Sequence, residues 1–126
     1  MSGSLNTSII TIRNFTMNIL FICSRNKWRS LTAETIYKDD KDHQVKSAGT
    51  EPGARVRVTS KLINWADIIF VMQKKHKHRL TENFPEEMQN KKVVILDIAD
   101  DYYYMDTELI DSIKISVSAY LHNVNS

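Results

Sequence analysis

The segment Asn18–Ser30 reads Asn-Ile-Leu-Phe-Ile-Cys-Ser-Arg-Asn-Lys-Trp-Arg-Ser and decides the architecture of the chain. It begins with a short, mostly apolar run that predicts a buried strand over 18–22, ending at Cys23. The residues that follow predict a helix over 31–38, with Ser30 as its N-cap. A strand, a short loop and a helix N-terminus in this order are typical of an anion-binding turn, because loop and helix N–H groups converge on the ligand.

The rest of the chain alternates strands and helices. The further predicted elements are strands over 44–47, 68–72 and 92–96, a helix beginning near Val58, and helices over 75–84 and 107–121. This alternation predicts an α/β fold, a three-layer α/β/α domain around a four-stranded parallel sheet. In such sheets ligands bind beyond the carboxyl ends of the strands. Cys23 and the loop 97–104 are therefore expected at the same edge.

Composition and length limit the classes of protein to which this chain can belong. The 126 residues suit one domain, which we expect over 17–126. Residues 1–16 are expected to form an extension outside the core fold. Within this extension, residues 9–12 could instead form a short extra strand. The net charge of +2 is too small to indicate nucleic-acid binding by itself, and no apolar stretch approaches membrane-spanning length. The single cysteine excludes an internal disulfide, and a reactive thiol fits a reducing, cytoplasmic location.

Cys23 is the candidate nucleophile, although a cysteine at the end of a buried strand is more often a small core residue. Arg29 follows it six residues later and has the planar donors that suit two oxygens of a phosphate. Asn26 tolerates positive φ, so it is expected to bend and brace the loop, and Ser30 is also expected to donate its hydroxyl to the sulfur. The predicted phosphate-binding loop comprises Ser24, Arg25, Asn26, Lys27, Trp28 and Ser30.

A general acid is expected from the second loop at this edge of the sheet. The candidates are Asp97, Asp100, Asp101 and Asp106, beside three consecutive tyrosines. An acid here would protonate a departing oxygen and then, as a carboxylate, activate water. Spacing alone does not choose among the four aspartates.

Three parts of the sequence together resemble the low-molecular-weight protein tyrosine phosphatase family. They are Met17–Cys23 with Asn26, Arg29, Ser30, Ala33 and Glu34; Ser47–Thr50; and Trp65–Met72 followed by His76 and Leu80. The resemblance covers roughly 17–121 and implies a cysteinyl-phosphate intermediate with no metal or cofactor. It also implies that Asp100 is the acid, with Asp101 in reserve, and that Tyr102 and Tyr103 line the substrate rim.

Two departures from the family pattern stand in the loop. Arg25 occupies a position where glycine is usual, and Trp28 stands where many members carry a second cysteine. The stretch between the second and third strands is also abbreviated. With Arg55 and Arg57, the cations Arg25 and Lys27 would favour an acidic or multiply phosphorylated substrate, unless they serve only solubility.

The sequence thus predicts a phosphomonoester hydrolase that acts on a phosphorylated substrate, a phosphotyrosine protein in the leading interpretation. A nucleotide or a nucleic-acid terminus stays open as the substrate. Two other functions also remain open. One is a thiol-dependent arsenate reductase, which would need an external thiol because the chain has one cysteine. The other is a phosphate-binding module without turnover.

Overall fold

The computed structural model describes residues 16–125. The extension expected at 1–16 lies outside the described residues except for its last residue, as does the extra strand considered at 9–12. In chain order, the described elements are β1 Met17–Cys23, α1 Arg29–Tyr37, β2 His43–Gly49, α2 Ser60–Trp65, β3 Ile68–Val71, α3 Lys74–Asn83, α4 Pro85–Met88, β4 Lys92–Ile95 and α5 Thr107–Asn125. Among the described residues, no helix is both long and apolar enough to cross a membrane.

The strands form one parallel sheet in the order β2-β1-β3-β4. This confirms the predicted α/β architecture with four parallel strands. Strand β1 lies between β2 and β3, with Cys23 opposite Gly49 and Ile22 opposite Val71. The carboxyl ends of three strands therefore meet around Cys23, where the sequence predicted the site.

Helices cover both faces of the sheet, which explains why the two inner strands, β1 and β3, read as nearly continuous apolar runs. Successive side chains of a strand point to opposite faces. Ile19, Phe21 and Cys23 accordingly pack in the core under α1 and α5, while Leu20 and Ile22 pack in the core under α2, α3 and α4. Two helical layers enclose the sheet, and β1 lies buried inside it between β2 and β3.

The start of α1 differs from the prediction. The helix begins at Arg29, the N-cap residue is Trp28, and no side chain caps it. Ser30 lies inside the first turn, so the prediction of Ser30 as N-cap is wrong. Its hydroxyl lies 3.0 Å from the sulfur of Cys23 instead, in agreement with the second role expected for it.

The other helix boundaries follow local signals. Thr59 accepts a hydrogen bond from the N–H of Leu62 and so caps α2, and Asp106 accepts one from the N–H of Glu108 at the start of α5. Pro85 lies just beyond α3 and opens the short helix α4, because the first residue of a helix needs no N–H for an intrahelical hydrogen bond.

Candidate active site

Cys23 ends β1 and opens a loop of residues 24–28, here called the Cys23 loop, that leads into α1. The loop borders a cavity of about 420 Å³, the first cavity. Its lining residues are Cys23, Ser24, Arg25, Lys27, Trp28, Arg29, Glu51 and Asp100. The structure therefore brings together the predicted nucleophile, the predicted phosphate ligand and one of the four candidate acids.

Asn26 bends the Cys23 loop. Its φ is 56°, in the left-handed region that asparagine tolerates better than most residues, and its side chain is fully buried. The bend directs the Asn26 N–H at the sulfur of Cys23, at 3.3 Å. The expectation that Asn26 shapes the loop is confirmed.

The Asn26 side chain orients two serine hydroxyls. Its Nδ2 donates to Ser30 Oγ at 2.7 Å and to Ser47 Oγ at 2.8 Å, and Ser47 in turn donates to the Glu34 carboxylate. Because Ser30 Oγ accepts from Asn26, its own proton is free to point at Cys23 Sγ, 3.0 Å away. The sulfur thus faces an O–H donor, an N–H donor and the first turn of α1, all of which stabilise a thiolate.

Substitutions of Asn26 separate its two contributions. Asn26→Ala removes the side-chain donors and places a residue with a Cβ at φ 56°, whereas Asn26→Gly removes the donors but accepts that φ. We expect Asn26→Ala to lower the free energy of unfolding by about 2–3 kcal/mol. The loss for Asn26→Gly should be smaller than the loss for Asn26→Ala by about 1 kcal/mol. Urea denaturation measures both. Equal losses would show that the left-handed conformation adds no cost of its own.

Gly49 lets the Cys23 loop lie against β2. A Cβ at this position would lie 2.6 Å from the carbonyl oxygen of Ser24 and 2.9 Å from the carbonyl carbon of Arg25. Since real side chains do not reach such distances, only glycine allows this approach. The N–H of Thr50 donates to the Cys23 carbonyl at 3.0 Å in the same region. The segment after β2 is thus fixed to the loop.

Arg29 is only 2% exposed, and its guanidinium is held by neutral acceptors. Its Nη1 donates to Gln73 Oε1 at 2.7 Å and to the carbonyl of Ile98 at 2.9 Å. Its Nε lies 3.6 Å from Oδ1 of Asp100. Two neutral acceptors orient the guanidinium, and the exposed Asp100 carboxylate beside Nε balances its charge only in part, so Arg29 can still bind an anion in the first cavity.

His76 supports the loop from α3, a role that the sequence did not reveal. Its Nδ1 accepts from the N–H of Gln73, so Nε2 carries the proton and donates to Ser24 Oγ at 3.0 Å. Burial and then the nearby Arg29 charge lower the pKa of His76 to about 3, with smaller contributions from Lys75 and Arg79. His76 is therefore neutral near physiological pH.

The lowered pKa of His76 predicts acid sensitivity. In the unfolded chain this histidine binds a proton as the pH falls through 6.5, whereas in the folded protein it stays neutral down to about 3. The unfolded state then binds more protons, so stability should be complete above this window and fall by about 1 kcal/mol per pH unit within it. Urea denaturation across the window should show a shallower slope for His76→Asn. Equal slopes would contradict the neutral state of His76.

The candidate acids lie in different places. Asp100 is 57% exposed and lines the first cavity. Asp97 lines a separate cavity, Asp106 caps α5, and Asp101 is exposed without lining the first cavity. Geometry therefore favours Asp100, the aspartate that the resemblance selected, over the other three.

The two tyrosines predicted to line the substrate rim, Tyr102 and Tyr103, also lie in different places. Tyr103 is 72% exposed, and its ring lies edge-on to that of Trp28, a residue that lines the first cavity, with centroids 5.5 Å apart. Tyr102 is half-buried, packs against the core under α5 and lines the other cavity with Asp97. The structure does not bring Tyr102 to the first cavity, because the side chains of neighbouring residues point in different directions.

No family model matches this sequence, and no curated protein matches it. Solved structures do match, and they define the class of fold: the chain has the fold of the low molecular weight protein tyrosine phosphatases. YwlE arginine phosphatase from Geobacillus stearothermophilus matches with a TM-score of 0.69 at 21% identity, over 86% of this chain and 92% of that one. SP-PTP, a low molecular weight protein tyrosine phosphatase from Streptococcus pyogenes, gives a TM-score of 0.71 at 16% identity, over 85% and 92%. Wzb from Vibrio vulnificus, in complex with benzylphosphonate, gives a TM-score of 0.68 at 23% identity, over 85% of this chain and 98% of that one.

These matches confirm, at the level of the fold, the resemblance predicted from the sequence. Each neighbour covers more than four fifths of this chain, so the whole described domain takes part in the match rather than the Cys23 loop alone.

Proposed function

We propose that this protein is a cysteine-dependent phosphomonoester hydrolase that acts on phosphotyrosine through a cysteinyl-phosphate intermediate. One observation carries the proposal: the sulfur of Cys23, the buried guanidinium of Arg29 and the carboxyl of Asp100 all line the first cavity. A thiolate, an anion-binding cation and an acid are the groups that phosphoryl transfer to sulfur needs.

In the first step, the Cys23 thiolate attacks phosphorus and the ester P–O bond breaks. Arg29 and the N–H groups of the Cys23 loop and the first turn of α1 bind the remaining phosphoryl oxygens and stabilise their charge in the transition state. Asp100 gives its proton to the departing oxygen, so the alcohol or phenol leaves neutral.

In the second step, the Asp100 carboxylate takes a proton from water as the water attacks phosphorus. The P–S bond breaks and inorganic phosphate forms, with Asp100 again protonated. The sulfur leaves as a thiolate, which the Ser30 hydroxyl and the Asn26 N–H stabilise. Since this thiolate must stay reduced, we assign the activity to the cytoplasm.

The cavity lining favours phosphotyrosine over phosphoarginine. The matched structures include an arginine phosphatase and tyrosine phosphatases, so the fold alone does not choose between the two substrates. Arg25 and Lys27 line the first cavity and would repel the cationic guanidinium that leaves phosphoarginine. Trp28, which lines the cavity, and Tyr103, whose ring contacts that of Trp28, instead offer aromatic surfaces to a phenol ring.

Hydrolysis of matched peptides tests the substrate class. Phosphate release is measured for two peptides that differ only in carrying phosphotyrosine or phosphoarginine, with p-nitrophenyl phosphate as the reference. We expect a kcat/KM for phosphotyrosine at least about tenfold higher than for phosphoarginine, because like charges meet in the latter complex. Equal or inverted values would overturn the assignment to phosphotyrosine. If no phosphate were released from any of the three substrates, the proposal that the protein is a hydrolase would be overturned.

Asp100→Asn tests the acid. Asparagine cannot give up a proton, so kcat should fall about a hundredfold on phenyl phosphate but less on p-nitrophenyl phosphate, whose leaving group needs less protonation. Asp101→Asn is the matched control, because Asp101 is an exposed neighbour outside the first cavity. A larger loss in Asp101→Asn than in Asp100→Asn would assign the acid to Asp101.

A further inference from the structure

A second cavity of about 360 Å³ adjoins the first. Both are lined by Arg25, Lys27 and Glu51, so these residues form a wall common to the two cavities. The remaining lining residues are Pro52, Gly53 and Arg55. A molecule held at Cys23 can therefore extend into the second cavity past the shared wall.

The second cavity carries an excess of positive charge. Three of its lining residues are cations, Arg25, Lys27 and Arg55, and all three are exposed. Its one lining carboxylate, Glu51, forms an ion pair with Arg79 at 3.5 Å. The Glu51 charge is thus partly balanced by Arg79, and the Arg55 charge is partly balanced by Glu34, so Arg25 and Lys27 give the cavity its excess of positive charge.

The wall of the second cavity is held in place by the Cys23 loop itself. The N–H of Glu51 donates to the Ser24 carbonyl at 2.9 Å, and the N–H of Arg55 donates to the Arg25 carbonyl at 3.0 Å. The Arg55 side chain adds a bond from Nε to the Asn26 carbonyl at 3.3 Å, and its Nη2 lies 3.9 Å from Glu34 Oε1. Fixed backbone and a braced guanidinium lower the entropy cost of binding a ligand here.

We infer that the second cavity binds a second anionic group, a carboxylate or a phosphate, on the same substrate molecule whose phosphate lies at Cys23. The inference rests on the proposed function, since it deepens the substrate class of that site. Contacts between partly exposed charges are individually weak, so we expect the second anion to raise affinity about fivefold.

Gly53 allows the charge of this cavity to be changed without touching the loop that binds phosphate. A Cβ at Gly53 would meet nothing within 4 Å, and its φ is not in the left-handed region. Gly53→Glu therefore adds a carboxylate to the cavity, and Gly53→Gln adds a neutral side chain of nearly the same size. The pair isolates charge from bulk.

The experiment compares kcat/KM of wild type, Gly53→Glu and Gly53→Gln on two substrate pairs. One pair is a phosphotyrosine peptide with glutamate or alanine on both sides of the phosphotyrosine, and the other is benzene-1,3-bisphosphate against phenyl phosphate. Wild type and Gly53→Gln should prefer the more anionic member of at least one pair by about fivefold, whereas Gly53→Glu should lose most of the preference. The pair that shows it identifies an acidic peptide or a small bisphosphate as the source of the anion.

Absence of preference in wild type, or a preference that survives Gly53→Glu, would overturn the inference. Hydrolysis of phenyl phosphate at similar rates by all three proteins would then leave the proposed hydrolase intact. Calorimetry on Cys23→Ser, with and without Gly53→Glu, measures the affinity for the same substrate pairs without turnover. A preference for the more anionic member that Gly53→Glu removes would support the inference, and its absence would overturn it.

Discussion

Cys23→Ser should lower kcat on p-nitrophenyl phosphate by at least about a thousandfold, because a serine hydroxyl is a far weaker nucleophile than a thiolate. Serine keeps the size of the side chain, and the surrounding donors, Ser30 and the Asn26 N–H, stay in place. Inorganic phosphate should therefore still bind, with a Kd within about threefold of wild type. Calorimetry on phosphate measures this second quantity.

The pair of measurements distinguishes an enzyme from a binding module. Lost turnover with retained binding is the result expected for a nucleophile. If Cys23→Ser hydrolysed the substrate at a rate close to wild type, the sulfur would not be the attacking atom. If wild type bound phosphate but never turned over, the chain would be a phosphate-binding module, the non-catalytic function that the sequence left open.

Arg29→Lys should lower kcat/KM about a thousandfold although the charge is kept. Lysine has no planar pair of donors, so it cannot bind two phosphoryl oxygens and at the same time bond to Gln73 and the Ile98 carbonyl. The loss of these buried partners should also lower the free energy of unfolding by about 2 kcal/mol. Steady-state kinetics and urea denaturation measure the two effects.

Arg79→Lys is the matched control for this substitution. Arg79 is a half-exposed arginine whose charge pairs with Glu51 at 3.5 Å. The same change there should alter stability by less than about 1 kcal/mol and leave kcat/KM on phenyl phosphate within about threefold. Near-normal turnover of Arg29→Lys would contradict the phosphate cage.

Much of the fold could be predicted because its signals are local. The apolar run of β1 is buried on both faces, and a strand of that kind reads as continuous apolar residues, typical of a central parallel strand. Alternation of such runs with helices then indicates a parallel sheet, and strand polarity places Cys23 and Asp100 at the same edge. The bend at Asn26 was predictable for the same reason, since it depends on the φ preference of one residue.

The supports of the site were not predictable, because they depend on contacts between distant parts of the chain. Gln73 and His76 reach Arg29 and Ser24 from the start of α3, which reads in the sequence as a basic surface helix. The one local signal was the position of Gln73 two residues beyond the end of β3, at the functional edge of the sheet. Gly49 lies in the Ser47–Thr50 segment that resembles the family, but only the structure shows that a Cβ at this position would collide with the backbone of Ser24 and Arg25.

The two errors at the site have a common cause. Ser30 was expected to cap α1, yet its hydroxyl bonds to Cys23 and Asn26, because a buried network competes with a helix cap for the same oxygen. Tyr102 was expected at the rim, yet it packs on the core while Tyr103 extends to Trp28. In both cases the sequence identified the right neighbourhood, and tertiary packing decided which group the side chain contacts.

Hydrolysis by Cys23 is tested most directly by trapping the cysteinyl-phosphate intermediate. Wild-type protein is mixed with excess p-nitrophenyl phosphate, quenched rapidly, digested and analysed by mass spectrometry. The peptide containing Cys23 should gain the mass of one phosphoryl group on sulfur, whereas Cys23→Ala should show no such gain. Steady hydrolysis without any phosphorylated Cys23, under conditions where phosphocysteine survives the quench, would contradict this mechanism.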